Sequence, residues 1–463
     1  MALPQSLAAG KMPTERLLII GGVAAGMSAA SHARKLAPRM EIVVLEKGRD
    51  VSYGACGLPY LLSGQVADPK DLVVYTAEFF RTQRNIDVWL QHEAVEIEPA
   101  KKTVHALRAN SQPVSLHYDK LIIATGGAPS IEIPGADLKN VFTCNDLPGT
   151  LRLHSYIAEQ KPKRAVIVGS GYIGLEVAEA FAARGLEVTI LERSAELFEG
   201  VEPEIAAAVE ETLTKHSVRL IRSAVATSIT GDAHSNAVAV QYGVEGSLPA
   251  DLVLLATGIV PRVELAHKAG IPLGPTGAIA VDERMQTELH GVYAAGDCAE
   301  TTHLVTGKPT YFPLGTTANK QGRVAGENAA GGNARFAGIV GTMVTRVFDL
   351  GVARTGLSLK QARSSGFQPD SVTVKSISRA RYFQGKPIVV TLIWDRASER
   401  LLGCQMAGEE GVAKRIDVVA MALHGRMRVP EMLHLDLSYA PPYAPVWDPI
   451  LIAANEAMKR IRS

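Results

Sequence analysis

Two stretches of the chain carry the same order of apolar and polar positions. Residues 16–47, RLLIIGGVAAGMSAASHARKLAPRMEIVVLEK, run from an apolar stretch through a glycine-rich turn into residues of helical periodicity. A second apolar stretch follows and ends in Glu46. Residues 164–193, RAVIVGSGYIGLEVAEAFAARGLEVTILER, repeat that order and end in Glu192. Uninterrupted apolar runs mark strands buried on both faces of a parallel sheet. Ile173, Val177, Ala180 and Phe181 recur at the spacing of one helical face. Each copy therefore predicts a βαβ unit with a short crossover. Residues 119–126, DKLIIATG, and 251–258, DLVLLATG, each add a further parallel strand that ends in a Thr-Gly turn. The duplication predicts two homologous nucleotide-binding domains.

Less regular, more polar strands fall between these signals, at 101–118 and 236–248. A short apolar strand then ends in Gly296-Asp297. Beyond about residue 335 the pattern changes to strand-like VTVKSIS and PIVVTLIWD, followed by helix-like AKRIDVVAMALHG. This predicts an α+β C-terminal domain behind two Rossmann-like α/β domains. The segment SYAPPYAPVWDP is too rich in proline for a helix or a central strand.

Charge removes several partners. Over 463 residues, 48 Lys and Arg balance 47 Asp and Glu, for a net charge of +1. That gives no electrostatic basis for nucleic acid or an anionic membrane as partner. No apolar run reaches the roughly 18–20 residues of a membrane span. Residues 1–13 read as a flexible extension without the features of a secretory signal, with Met12 as an alternative start. The four cysteines, Cys56, Cys144, Cys298 and Cys404, form neither a disulfide scaffold nor a zinc motif. A reducing cytoplasmic setting and no bound metal are expected.

The second loop, Gly169-Ser-Gly171-Tyr-Ile-Gly174, matches G-x-G-x-x-G between a strand and a helix. Glycines there permit the tight turn and let the backbone approach a pyrophosphate. Glu192, at the end of the next strand, is placed to accept a ribose diol, which favours NADH. Arg193 leaves NADPH open as a second donor. The first loop, Gly21-Gly-Val23-Ala-Ala-Gly26, lacks the middle glycine but has Glu46 in the matching place. Asp297 suits the hydroxyls of a ribityl chain. Cys56, in Ser52-Tyr-Gly-Ala-Cys56-Gly-Leu-Pro-Tyr60, precedes a predicted helix, whose N-terminus would depress the thiol pKa. Buried packing is the competing reading of such a cysteine. The twelve histidines form no motif.

Taken together, both dinucleotide units, ATG, GDCAE, SYGACGLPY, the run Ala-Asn-Lys-Gln-Gly-Arg at 318–323 and YAPPY resemble the flavoprotein disulfide reductases. The similarity spans residues 16 to about 455. It is greatest to the coenzyme A disulfide and CoA-persulfide or polysulfide reductase group, related to NADH oxidases and peroxidases. The resemblance implies FAD in a discontinuous domain of residues 14–148 and 281–334, held by Gly21, Val23, Gly26, Glu46, Lys47, Thr125, Gly126, Gly296 and Asp297. It implies NAD(P)H in residues 149–280, at Gly169, Gly171, Gly174, Glu192 and Gly258. Residues 335–463 would form a dimerisation domain.

Classical members carry a C-x4-C pair; here Cys56 stands alone, so it must cycle as a mixed disulfide with CoA or as a sulfenic acid. The resemblance further implies that Ser28, His32, Lys35, Ser52 and Arg84 bind CoA, with Lys35 and Arg84 on its phosphates. His32 and Ala55 depart from the group, where an amide and an Asn are usual. Tyr439 or Tyr443 of a partner subunit would assist the leaving thiolate, with Tyr382 as a further candidate. Ala24 occupies the place of the active-site His of the peroxidases and oxidases, which disfavours a sulfenic-acid NADH oxidase or peroxidase. A non-enzymatic flavin redox sensor is the third reading. Persulfide-reducing members often carry a C-terminal rhodanese module; this chain stops at residue 463, so a separate sulfur-transfer protein is expected.

Overall fold

The first βαβ unit places its glycine turn at the carboxyl end of a buried parallel sheet. In the computed structural model, which describes residues 15–462 apart from 198 and 199, β1 (Arg16–Ile20) pairs in parallel with β2 (Glu41–Glu46) and with Lys120–Ile123. The N-terminal extension expected over residues 1–13 lies outside the described residues. Helix α1 (Ala24–Leu36) makes the crossover. The short helices α2 (Leu58–Ser63) and α3 (Ala77–Arg84) follow before β3 (Asp87–Leu90) closes one edge of the sheet. Val292–Ala294 forms the other edge, so the chain returns to this sheet after building another. Leu17, Leu18 and Ile19 are wholly buried. Each such side chain contributes about 1.5–3 kcal/mol on leaving water, which is why the run is apolar throughout.

The second sheet repeats the first. Helix α4 (Leu147–Gln160) leads into Arg164–Val168, which pairs in parallel with Glu187–Leu191 and Leu252–Leu255. Helix α5 (Tyr172–Ala183) makes its crossover. Val141–Phe142 pairs into this sheet through Leu252–Leu255, ahead of the boundary at 149 drawn from the sequence. Each unit carries a three-stranded antiparallel sheet: His92–Glu98 with Thr103–Arg108 and Pro113–His117, and Ala226–Gly231 with Ala237–Tyr242 and Gly246–Pro249.

The repeat extends to the turns. Gly21 and Gly169 have φ of 104° and 107°, and a Cβ on either would overlap the carbonyl oxygen of Ala124 or Ala256. Their N–H groups donate to the carbonyls of Leu45 and Leu191 at 2.8 Å each. A side chain on Gly26 or Gly174 would overlap the carbonyl of Gly21 or Gly169. Both loops thus need glycine for backbone clearance before any ligand arrives.

The helix Gly315–Ala329 lies along α1, where Gly322 and Gly326 face the carbonyls of Ala25 and Ala29. The C-terminal domain is a five-stranded antiparallel sheet in the order Met343–Val347, Leu350–Gly356, Leu401–Gly408, Pro387–Asp395, Pro369–Ile377. Helices Val412–His424 and Pro449–Arg462 pack on it. The proline-rich segment before the last helix forms turns and irregular backbone, as expected. Among the described residues no helix is long and apolar enough to cross a membrane.

Candidate active site

The two glycine loops, the Cys56 turn and the C-terminal domain surround one cavity of about 1480 Å³. Gly21, Val23, Glu46, Lys47, Thr125, Gly126, Gly296 and Asp297 line one branch, and Gly171 and Gly258 line another. Gly26, Gly169, Gly174 and Glu192 do not line it; the three glycines stand behind the loops and shape them. Glu46 Oε2 accepts the Gly22 N–H at 2.8 Å, and Oε1 accepts the Gly48 N–H at 2.6 Å. Glu192 Oε2 accepts from the Ser170 N–H at 2.9 Å and its hydroxyl at 2.6 Å, and Oε1 accepts the Ser194 N–H at 2.8 Å. Both acids are buried. The Thr125 hydroxyl donates to the Arg262 carbonyl at 2.7 Å, so it ties the turn together.

The first branch fits a dinucleotide with a polyol chain. Gly126, at φ 73°, leaves open space where a side chain would stand. Burial pushes the Asp297 carboxyl up to about 6, and a carboxyl so placed suits hydroxyl partners. The Tyr311 hydroxyl donates to the Asp297 carbonyl at 2.9 Å and fixes that strand end.

Cys56 sits in a single 3-10 turn, Ala55–Gly57, leading into α2. It is the exposed one of the four free cysteines, and its surface faces the cavity. Gly315 begins a long helix beside it; a Cβ there would lie 3.9 Å from Cys56 Sγ. The expected depression of the thiol pKa is not what the protein alone produces. Loss of solvent, then the carboxylates of Glu176 and Asp297, push the Cys56 thiol up. The helix that follows Cys56 has only six residues, too few to outweigh these, and the positive end of the Gly315 helix acts in the opposite sense. Cys144, Cys298 and Cys404 are buried, with their thiols also pushed up by burial.

The five residues expected to bind CoA do not line the cavity; four lie on or beside the outer face of α1. The Ser28 hydroxyl donates to Asn319 Oδ1 at 2.5 Å, and Asn319 itself reaches the cavity. His32 Nε2 meets Glu327 Oε2 at 2.9 Å. Lys35 is exposed. Arg84 donates to the Ser31 hydroxyl at 2.7 Å, and its guanidinium lies 5.1 Å from the Tyr75 ring centre and 5.3 Å from that of Phe79. Arg84 thus stacks on an aromatic cluster. Ser52, at φ 51°, donates its N–H to the Gly22 carbonyl at 2.9 Å and supports the first loop.

Tyr439 and Tyr443 are exposed on the C-terminal domain and lie outside the cavity. Their segment joins that of Tyr382 where the Ala380 N–H donates to the Pro441 carbonyl at 3.3 Å. Within one chain they do not share the cavity with Cys56, because the turns that carry them present them to solvent. Three cavity residues had no sequence signal of their own. Tyr172 and Glu176 stand one helical turn apart on α5, and Arg354 comes from the C-terminal hairpin. The first two could have been found as the inward positions of the helix after G-x-G-x-x-G; Arg354 could not.

Residues 15–322 match the pyridine nucleotide-disulphide oxidoreductase family, and residues 343–449 match its dimerisation domain. The chain is similar to the NAD(P)H coenzyme A polysulfide/persulfide reductase of Pyrococcus horikoshii, 38% identical, covering 96% of this chain and 99% of that protein. It is 29% identical to the coenzyme A disulfide reductase of Staphylococcus haemolyticus, covering 93% and 96% of the two chains. The solved NAD-dependent persulfide reductase from A. fulgidus superposes with a TM-score of 0.93 at 39% identity, over 96% of this chain and 83% of that one.

Proposed function

This chain belongs to the pyridine nucleotide-disulphide oxidoreductase family, and from that premise we propose that it uses NADH to reduce CoA disulfide, CoA persulfide or a related per- or polysulfide through Cys56. The observation that carries the reading is a single exposed cysteine at the cavity, with Val51 and Leu61 where a C-x4-C partner would stand. A lone thiol there has no intrachain disulfide to form, so its oxidised state is a bond to the substrate sulfur.

FAD, when bound, would supply a two-electron relay between nicotinamide and sulfur. Gly21, Val23, Glu46, Lys47, Thr125, Gly126, Gly296 and Asp297 would hold it. Gly169, Gly171, Gly174, Glu192 and Gly258 would hold NADH, with NADPH as a second donor beside Arg193. The Cys56 thiolate attacks one sulfur of CoA disulfide; a Cys56–CoA disulfide forms and CoA thiolate leaves. With CoA persulfide the leaving group is hydrosulfide. Two electrons then cleave the mixed disulfide. The balance is one NADH and one proton consumed for two CoA thiols, or for one CoA thiol and one hydrogen sulfide. Ser28, His32, Lys35, Ser52 and Arg84 would form the CoA side, reached from the cavity through Asn319. Tyr439 or Tyr443 of a second copy, joined through the dimerisation domain, would supply the proton to the leaving thiolate. A separate sulfur-transfer protein would deliver persulfide.

The test is anaerobic NADH oxidation by the FAD-loaded protein with CoA disulfide, CoA persulfide and hydrogen peroxide as separate acceptors. Fast turnover with a CoA acceptor and little with peroxide is expected, because Ala24 offers no proton donor in the first loop. Turnover with peroxide alone would replace this reading with the sulfenic-acid route. A single reduction that stalls with every acceptor would make the protein a redox sensor.

A further inference from the structure

The turn that carries Cys56, Ala55–Gly57, runs without a break into α2, so the placement of that short helix sets the placement of the thiol. Leu58, Leu61 and Leu62 of α2 are buried in one core with Leu175 and Phe181 of α5. Apolar packing of this kind holds two helices together but is non-directional, so it does not fix how one is rotated on the other. Directional contacts do. At the end of α2 the Arg184 Nε–H donates to the Leu62 carbonyl at 2.8 Å.

A second directional contact comes from the C-terminal domain. The strand Met343–Val347 is fastened to α5, where the Thr345 hydroxyl donates to Glu176 Oε1 at 2.8 Å and the Phe348 N–H donates to Glu179 Oε2 at 2.8 Å. Arg346 stands between these two contacts and reaches both helices. One terminal nitrogen of its guanidinium donates to Glu179 Oε1 at 2.8 Å and to Gln65 Oε1, just beyond α2, at 2.9 Å. Its Cζ lies 5.6 Å from the centre of the Tyr60 ring, one helical turn after Cys56. Cys56 lines the cavity, whereas Tyr60, Gln65, Glu179 and Arg346 do not. Arg346 is also partly exposed, and an ion pair at such a site adds little stability. What it adds is geometry, because a planar guanidinium can stack on a ring and donate to two acceptors at once. We propose that Arg346 is a positioning residue for the thiol: by tying Tyr60 and Gln65 to Glu179 it fixes the rotation of α2 on α5, and with it the direction in which Cys56 faces the cavity. The proposal rests on the reading that Cys56 carries the reaction.

The experiment uses the FAD-loaded protein and the variants Arg346→Met, Arg346→Lys, Tyr60→Leu and the Arg346→Met/Tyr60→Leu pair. Flavin reduction by NADH, and reoxidation of the stoichiometrically dithionite-reduced protein by CoA disulfide, are followed separately in anaerobic stopped flow. Arg346→Met is expected to slow reoxidation about tenfold, since a small misplacement of a reacting group is costly. Arg346→Lys should recover part of the rate, because it keeps the charge beside Glu179. FAD content and the rate of reduction by NADH should stay within about twofold of wild type. The pair is expected to be no slower than the worse single variant, because both act through one contact. Wild-type reoxidation in Arg346→Met, equal slowing of both half-reactions, or additive losses in the pair would overturn the proposal and leave the proposed function intact. A wild-type protein that no CoA acceptor reoxidises would overturn the proposed function. The rate of Cys56 alkylation by iodoacetamide then decides the positioning role: a clear difference between wild type and Arg346→Met, partly reversed in Arg346→Lys, supports it, and equal rates overturn it. If Arg346→Met does not fold, Arg346→Lys and Tyr60→Leu answer the same question, each expected to slow reoxidation and spare reduction by NADH.

Discussion

Glu192 Oε2 accepts the Ser170 N–H at 2.9 Å, the counterpart of the bond from the Gly22 N–H to Glu46 Oε2 at 2.8 Å. In both domains the acid at the end of the second strand therefore builds the glycine loop. Removing it from the second domain withdraws the acceptor for two backbone N–H groups and one hydroxyl. Glu192→Ala is expected to raise the Michaelis constant for NADH at least tenfold and to leave that for the CoA acceptor within twofold. Steady-state kinetics with each substrate varied in turn checks this; unchanged NADH kinetics would remove Glu192 from the nucleotide site.

Cys56 gives a pH prediction with a definite sign. Loss of solvent and the charges of Glu176 and Asp297 all disfavour its thiolate. Burial raises the Glu176 pKa as well, and its hydrogen bond from Thr345 lowers it. Glu176→Gln removes one negative charge and should shift the pH midpoint of Cys56 alkylation by iodoacetamide downward in FAD-free protein. An upward shift would mean that Glu176 acts on the thiol through structure rather than charge. Cys56→Ser should retain FAD and be reduced by NADH, yet turn over no CoA acceptor.

The duplicated units were legible because one physical requirement, a glycine turn above a buried parallel strand, recurs at fixed offsets. Gly21 and Gly169, Glu46 and Glu192, and the strands that end at Thr125-Gly126 and Thr257-Gly258 all follow from it. Arg354, Thr345 and Arg346 were illegible for the opposite reason. Thr345 lies 169 residues from Glu176 and belongs to a sheet whose own pattern says nothing of α5. Arg84 shows a further limit: a cation in sequence looks solvated, and only folding sets it on the rings of Tyr75 and Phe79. Tyr439 and Tyr443 lie outside the cavity of their own chain, and no spacing within one chain reveals what they would meet in a second copy.

His303 couples stability to acid. It is buried at the cavity wall, its Nδ1 accepts the Val305 N–H at 3.3 Å, and burial pushes its pKa down from 6.5 to about 4. A histidine depressed in the folded state contributes nothing unfavourable above pH 6.5 and costs stability as pH falls from there towards 4. The full loss is about 3 kcal/mol by the usual linkage between pKa and stability. His303→Gln should flatten the fall of Tm between pH 7 and 4.5, as measured by calorimetry. An equal slope in both proteins would place the acid sensitivity elsewhere.

Gly322 and Gly326 set the distance between the helix Gly315–Ala329 and α1, since a side chain on either would overlap the carbonyl of Ala25 or Ala29. Neither glycine has a positive φ, so the constraint is clearance between helices rather than backbone conformation. Adding one methyl must push the helices apart, and overpacking of this kind costs about 1–3 kcal/mol. The displacement also reaches function, because α1 begins at the first glycine loop and Gly315 stands beside Cys56. Gly322→Ala should lower Tm and the ratio of FAD to protein together, while NAD+ affinity at the second loop is unchanged. A variant with lower Tm but full flavin content would show that α1 moves without its loop, and would separate the packing of these helices from the shape of the flavin branch.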